Sequence, residues 1–227
     1  MRENKQTKGG GDTQMNGLIS KAYFNLYYGC MKSGKSEELI SFMKKLDRAK
    51  DNGQTINYQL FKPSNDLRDG PYIVSRSTKG LIKLPAEFIN YEKPETLLDK
   101  INPSTSVVGI DELELFTPGI VNVIETLLRT NKVVIGAGLD LDFRRLPFGS
   151  MPQLINLADS KIQKYAVCDV CGSLNANLTQ RLNPDGSPAS LESPIIAIEQ
   201  ESIGVKKSKN IDYSYEARCF NCYQAPK

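Results

Sequence analysis

One run of eight residues constrains the fold more than any other part of the chain. Gly29-Cys30-Met31-Lys32-Ser33-Gly34-Lys35-Ser36 matches the pattern GxxxxGK[ST]. Glycines let the backbone curl until its N–H groups face the oxygens of a phosphate. Lys35 reaches the outer phosphates. Ser36 offers a hydroxyl to Mg²⁺ and opens a helix whose positive end faces the anion. Such a loop needs a strand before it and a helix after it, and the sequence supplies both patterns. Ala22–Tyr28 is short, aromatic and apolar, while Leu39, Met43 and Leu46 recur at i, i+4, i+7 behind Glu37 and Glu38. Residues 29–36 therefore read as a nucleotide-phosphate site, with Cys30 as a small filler within it.

The same alternation continues downstream. Thr55–Phe61, Ser106–Ile110 and Lys132–Gly136 read as strands covered on both faces, as in a parallel sheet. Helix patterns lie between and after them: Ile120, Ile124, Leu127 and Leu128, then Met151, Leu154, Ile155 and Ala158. Alternating strands and helices predict an α/β fold of the P-loop NTPase type, a parallel sheet with helices on both faces. We place this α/β domain at residues 20–163. Residues 1–19 are polar and Gly-rich and read as a disordered tail. Residues 164–227 form a second, smaller unit of different texture. No run approaches the roughly 18 apolar residues of a membrane span, so a soluble, cytoplasmic protein is expected, with no membrane partner.

Composition narrows the chemistry. The chain has 227 residues, a net charge of +3 and no histidine. The missing imidazole excludes a Ser-His-Asp triad, a Cys-His pair, an HExxH metal site and any histidine base. Proton transfer must fall to a carboxylate, Lys, Tyr or Cys. Val107-Val108-Gly109-Ile110-Asp111-Glu112 is an apolar strand pattern that ends in two carboxylates. In phosphate-loop enzymes an acid at the end of such a strand holds Mg²⁺, which makes Asp111 the second magnesium candidate beside Ser36. Glu112 is then the natural general base.

Four of the five cysteines form two Cys-x-x-Cys pairs, Cys168/Cys171 and Cys219/Cys222, with 47 residues between them. Four thiolates make a closed tetrahedral site, so a structural zinc is expected, with a redox pair or two disulfides as the alternatives. Zinc ribbons often touch nucleic acid. Residues 168–227, however, carry six basic against seven acidic side chains and offer no electrostatic footprint for phosphate backbones. No nucleic-acid partner is expected.

Together these features resemble the zinc-containing, cytosolic type of the thymidine kinase family over about residues 22–223. The resemblance is carried by Tyr28-Gly29-x-Met31-x-Ser33-Gly34-Lys35-Ser36, by Phe61-Lys62-Pro63 with Asp66-x-Arg68, and by Gly109-Ile110-Asp111-Glu112 with Phe116. It continues through Ala137-Gly138-Leu139-Asp140-x-Asp142-Phe143 with Pro147-Phe148-Gly149, Thr179-x-Arg181-Leu182 and Tyr215-Glu216-Ala217-Arg218-Cys219. It implies transfer of the ATP γ-phosphate to the 5′-hydroxyl of thymidine, in pyrimidine salvage for DNA synthesis. Gly29 through Ser36 would hold ATP with Asp66, Arg68 and Asp111, and Glu112 would take the proton. Met31, Leu139, Phe143, Phe148, Thr179, Ile198 and Tyr215 would line the nucleoside site. The last three would belong to a lasso that the zinc anchors over the base. A homotetramer is implied as well.

The chain departs from the family pattern on the base-binding side. Glu114 stands where the family has a neutral amide, Leu115 where it has an aromatic, and Leu141 where it has Gly. Glu199-Gln200 replace a Gly-rich dipeptide, and about a dozen residues, 201–213, are extra. A carboxylate facing the acceptor oxygens of thymine is costly, so Glu114 is expected to weaken or widen base choice. Two readings stay beside thymidine kinase: a deoxynucleoside kinase of altered base selectivity, and a nucleotide-binding regulator weakened in catalysis.

Overall fold

A computed structural model describes residues 21–77, 80–196 and 213–226. The expected tail, Ile198 and most of the 201–213 insertion lie outside the described residues. The four expected strands are all present. They are β1 (Tyr23–Gly29), β2 (Tyr58–Pro63), β6 (Val107–Ile110) and β7 (Val133–Gly138). Two shorter strands, β5 (Glu87–Ile89) and β8 (Ser160–Lys164), complete a six-stranded sheet in the order β5-β2-β6-β7-β1-β8, with every neighbouring pair parallel.

Side-chain alternation along these strands builds two cores, one on each face. Phe24, Leu26, Phe61, Val108, Ile110 and Val134 pack under α3 (Gly119–Arg129) and α4 (Met151–Leu157). Tyr27, Leu60, Val107, Val133, Ile135 and Ala137 pack under α1 (Lys35–Asp51). Helix α1 presents Leu39, Ile40, Met43 and Leu46 to the sheet. It has Glu37 and Glu38 in its first turn and Arg48 and Lys50 in its last, in accord with its dipole. The fold is thus α/β, with a parallel sheet covered on both faces.

Two small antiparallel sheets stand apart from it. β3 (Tyr72–Ser77) pairs with β4 (Gly80–Pro85), and β9 (Leu178–Leu182) pairs with β10 (Ser214–Arg218). The second of these carries the cysteine region. A four-residue helix, α2 (Thr96–Asp99), packs near α3. Among the described residues no helix is long and apolar enough to cross a membrane.

Strand order decides where chemistry sits. β6, β7 and β1 are adjacent and parallel, so their C-terminal ends lie side by side. Those ends deliver Asp111, the Gly138–Asp140 segment and the phosphate loop to one rim of the sheet. In open α/β sheets this is the rim at which ligands bind.

Candidate active site

The phosphate loop leaves β1 at Gly29. Here φ is +143°, and an added Cβ would stand 2.2 Å from the backbone oxygen of Lys164 in the neighbouring β8. Only glycine fits both the conformation and the close approach. The loop then folds on itself. Lys35 Nζ and Ser33 Oγ both donate to the carbonyl of Cys30, at 2.7 and 2.8 Å. Lys35 is buried although it is a lysine. Cys30 is buried too, its thiol pushed up to about 11 by burial, which fits a filler rather than a reactive group. Lys32 holds a left-handed backbone, φ 62°, which is uncommon outside glycine.

At the C-terminal end of the loop, Ser36 Oγ lies 3.2 Å from Asp111 Oδ1, which also accepts the backbone N–H of Glu112 at 3.1 Å. Two hard oxygen donors from different elements thus converge beside the loop. Their chemistry suits Mg²⁺, which prefers a few protein oxygens together with those of a phosphate. Burial, and then the charge of Glu112, push the Asp111 carboxyl up to about 7. A cation bound there acts in the opposite sense.

Glu112 is held in a strained conformation, φ 50° and ψ 48°, at the start of a single 3₁₀ turn over Leu113–Leu115. Left-handed backbone in a residue with a long side chain costs about 1–3 kcal/mol and persists only where its surroundings enforce it. The side chain of Glu112 is held by Arg68. Its Nη2 meets Glu112 Oε1 at 2.5 Å, while its Nε meets Asp66 Oδ1 at 2.7 Å. Burial, the largest single influence, would raise the Glu112 carboxyl, but the attraction of Arg68, a hydrogen bond with Glu114 and the charge of Lys35 together bring the group below the ordinary range. Asp66 behaves likewise, lowered against its burial by Arg68 and then by Lys62.

Lys62 enters the sequence reading only as part of Phe61-Lys62-Pro63, with no role of its own. Its ammonium is buried, 2.8 Å from Asp66 Oδ2 and 3.2 Å from the carbonyl of Tyr72. Lys62, Asp66, Arg68 and Glu112 form one chain of alternating charge from the interior to the cleft. The available signal is the i, i+4 spacing of Lys62 and Asp66 around Pro63, but such spacing usually marks surface pairs.

The residues expected around the nucleoside are brought only partly together. Met31 N–H donates to Thr179 Oγ1 at 3.1 Å, joining the phosphate loop to β9. Phe143 and Phe148 are buried in the segment after β7, where Phe148 N–H donates to the carbonyl of Asp140. Arg181 gathers the aromatic residues. Its guanidinium lies 4.1 Å from the centroid of Phe143, 5.1 Å from that of Tyr213 and 5.2 Å from that of Tyr215. Sequence reading gives it no such role, because a lone Arg in a strand pattern does not hint at burial among rings. Leu139 borders this segment. Glu114 turns inward, with both oxygens covered, and stands next to Glu112. Leu141, in place of a family glycine, pairs with Pro147. In this segment the left-handed non-glycine residue is instead Arg145.

The four expected cysteines meet. Their Sγ atoms all lie within 4.8 Å of one another, and those of Cys171 and Cys219 are 3.7 Å apart. All are free thiols, so neither disulfide alternative is realised. Thiolates about 2.3 Å from a zinc ion stand about 3.8 Å apart in a tetrahedron, so the cluster fits zinc. The backbone N–H groups of Cys219 and then Cys171 hold the Cys168 thiol down to about 6. The neighbouring thiols of Cys171 and Cys219 push Cys222 up to about 12. Such mutual opposition among thiols is relieved by a cation at their centre. Asp169, inside the first knuckle, reaches across to the phosphate loop, where Lys32 Nζ meets its Oδ2 at 2.9 Å.

A phosphate loop running from an interior parallel strand into a helix, with an acid from the strand one place removed facing the first helical hydroxyl, defines a protein of the phosphate-loop class. The model of one family, described as thymidine kinase, matches residues 22–223. A thymidine kinase from Coprothermobacter proteolyticus is 38% identical over 210 residues, covering 92% of this chain and 94% of its own. The chain belongs to the thymidine kinase family and is a phosphotransferase. Among solved structures, the large terminase of a thermophilic bacteriophage is similar at a TM-score of 0.35 and 11% identity, over 67% of this chain. The match covers 43% of that protein's length, and so distant a likeness says nothing of function.

Proposed function

We propose that the protein is an ATP- and Mg²⁺-dependent thymidine kinase that transfers the γ-phosphate of ATP to the 5′-hydroxyl of the nucleoside and supplies DNA precursors by salvage. The observation that carries the mechanism is the placement of Glu112 one residue beyond Asp111, whose Oδ1 faces Ser36 of the phosphate loop. Gly29 through Ser36 cradle the phosphates through backbone N–H groups, with Lys35 at the outer ones. Ser36 and Asp111 would hold Mg²⁺, which when bound neutralises charge on the phosphates. Glu112, steadied by Arg68, accepts the proton of the attacking hydroxyl. Arg68, itself held by Asp66, brings a positive charge to the side of the cleft where the transferring group carries negative charge. Phosphoryl transfer needs positioning and charge balance more than covalent chemistry, and these residues supply both.

The nucleoside would sit among Met31, Leu139, Phe143, Phe148, Thr179 and Tyr215. Residues 164–227 would act as a unit that closes over the base, anchored by a structural zinc on Cys168, Cys171, Cys219 and Cys222. A cytoplasmic homotetramer is the assembly expected of the family. The test is a phosphorylation panel with ATP and Mg²⁺ over thymidine, deoxyuridine, deoxycytidine and the purine deoxynucleosides. Thymidine as the best acceptor is the expected result. A flat panel, or none phosphorylated, overturns the reading.

A further inference from the structure

Glu114 is an acid two residues beyond Glu112 that the reaction described above does not use. It is 3% exposed, and neither of its oxygens meets a hydrogen-bond donor. One oxygen lies against the end of β7, where a Cβ added to Gly138 would stand 2.8 Å from Oε2 and equally close to the Met151 sulfur. The carboxyl of Glu112 faces it within hydrogen-bond reach. That geometry poses a chemical problem. Two ionised carboxyl groups are acceptors only, so no bond can form between them, and their like charges repel in a site from which water is excluded. A single proton removes both difficulties. Which oxygen pair keeps that proton follows from the surroundings. Glu112 is ion-paired with Arg68 at 2.5 Å. Glu114 has no ion pair among those the described residues form, Gly138 and Met151 bring it no charge, and the Lys35 ammonium acts on it only more weakly than Glu112 does.

We propose that Glu114 is a neutral carboxylic acid at neutral pH and donates a hydrogen bond to Glu112, making it a positioning residue for the proton acceptor. Glu112 is then gripped on two sides, by a guanidinium and by a carboxyl O–H, which fixes the direction of its remaining lone pairs. Burial and the Glu112 charge both favour the neutral form of Glu114, in accord with this geometry. The inference rests on the reading of Glu112 as the base only for its second half. The protonation state of Glu114 stands by itself.

The experiment uses the full chain with Glu114→Gln and Glu114→Met. In the first arm, thermal unfolding is followed from pH 5 to 7. A buried acid that stays protonated makes the folded state bind more protons than the unfolded one, so the wild type loses stability as pH rises above about 4.5, and the glutamine variant does not. The midpoint of Glu114→Gln minus that of the wild type should widen by about 3–5 °C per pH unit. A difference that is constant or narrows overturns the proposal. Should Glu114→Gln not fold, the infrared carbonyl band of an un-ionised carboxyl, present in the wild type at pH 7 and lost in Glu114→Met, decides the same point. In the second arm, Glu114→Met should lower kcat about ten- to hundredfold and leave the ATP KM unchanged. Glu114→Gln, which keeps a donor, should recover most of that loss. Equal losses in the two variants overturn the positioning role. Near-normal turnover in Glu112→Gln would instead remove the base assignment, while the first arm would still report on Glu114.

Discussion

Lys32 and Asp169 are 137 positions apart in sequence and 2.9 Å apart in space. One belongs to the phosphate loop and the other to the first cysteine knuckle. The same Asp169 oxygen accepts the N–H of Ala217 from β10, and Met31 N–H rests on Thr179 of β9. The loop that would hold ATP is therefore braced from outside the main sheet. Zinc removal should loosen nucleotide binding as well as the nucleoside site. Asp169→Asn should raise the ATP Kd by up to about fivefold, the reach of a half-exposed ion pair, and the effect should shrink with added salt. Calorimetric titration with an ATP analogue at two salt concentrations measures both. An unchanged Kd after chelation would show that the bracing carries no energy.

Glu112→Gln keeps the size of the side chain and its contact with Arg68 but cannot accept a proton. ATP binding should persist while kcat falls about 10²- to 10⁴-fold, the ordinary worth of a general base. Single-turnover phosphorylation under saturating ATP separates this loss from any loss of binding.

Gly29→Ala places a methyl group 2.2 Å from the Lys164 oxygen in a backbone conformation alanine avoids. The loop or β8 must shift, because the obstacle is backbone and cannot rotate away. We expect loss of measurable ATP binding together with a lower melting temperature, both readable in one thermal-shift series with and without nucleotide. A variant with wild-type affinity would mean that the seam between β1 and β8 gives easily.

The Lys62–Asp66 pair is 3% and 6% exposed. Lys62→Met leaves Asp66 with Arg68 alone and should destabilise the fold by about 3–5 kcal/mol, because a buried charge loses its partner. The wild type should also show an acid limb. Asp66 has its carboxyl held below the ordinary value of 3.8, so the stability it contributes is complete above pH 3.8 and is lost as pH falls through its lower native value. Denaturant melts between pH 2 and 5, with Asp66→Asn as control, test the sign.

Much of the sheet is legible in the sequence because its interior strands are buried on both faces. Val107–Ile110 and Val133–Gly138 are apolar throughout and admit no other reading. Helices α1, α3 and α4 show their sheet-facing stripes. The hairpin of β3 and β4 is not legible, because its exposed second strand mixes Leu81 and Lys83 without a clear period. β8 escapes for the same reason: Ser160–Lys164 is a polar edge strand that belongs to the sheet only through its pairing with β1. At the site, local motifs mark the loop, Asp111, Glu112 and the cysteines. Lys62, Arg181 and the inward turn of Glu114 depend on tertiary burial, and no spacing rule announces that.

The parallel register of β1 has a consequence for biosynthesis. Tyr23 pairs with Val133, and Asn25 pairs with Ser160. The first strand among the described residues therefore has no partner until residues 133–138 have emerged from the ribosome, and it stays an open edge until 160–164 follow. A nascent chain halted before that point carries an intact GxxxxGKS sequence but no scaffold to shape it. Nucleotide capture should begin late and abruptly during translation, and the unpaired Tyr23–Gly29 segment is the part of this protein most in need of shelter until then.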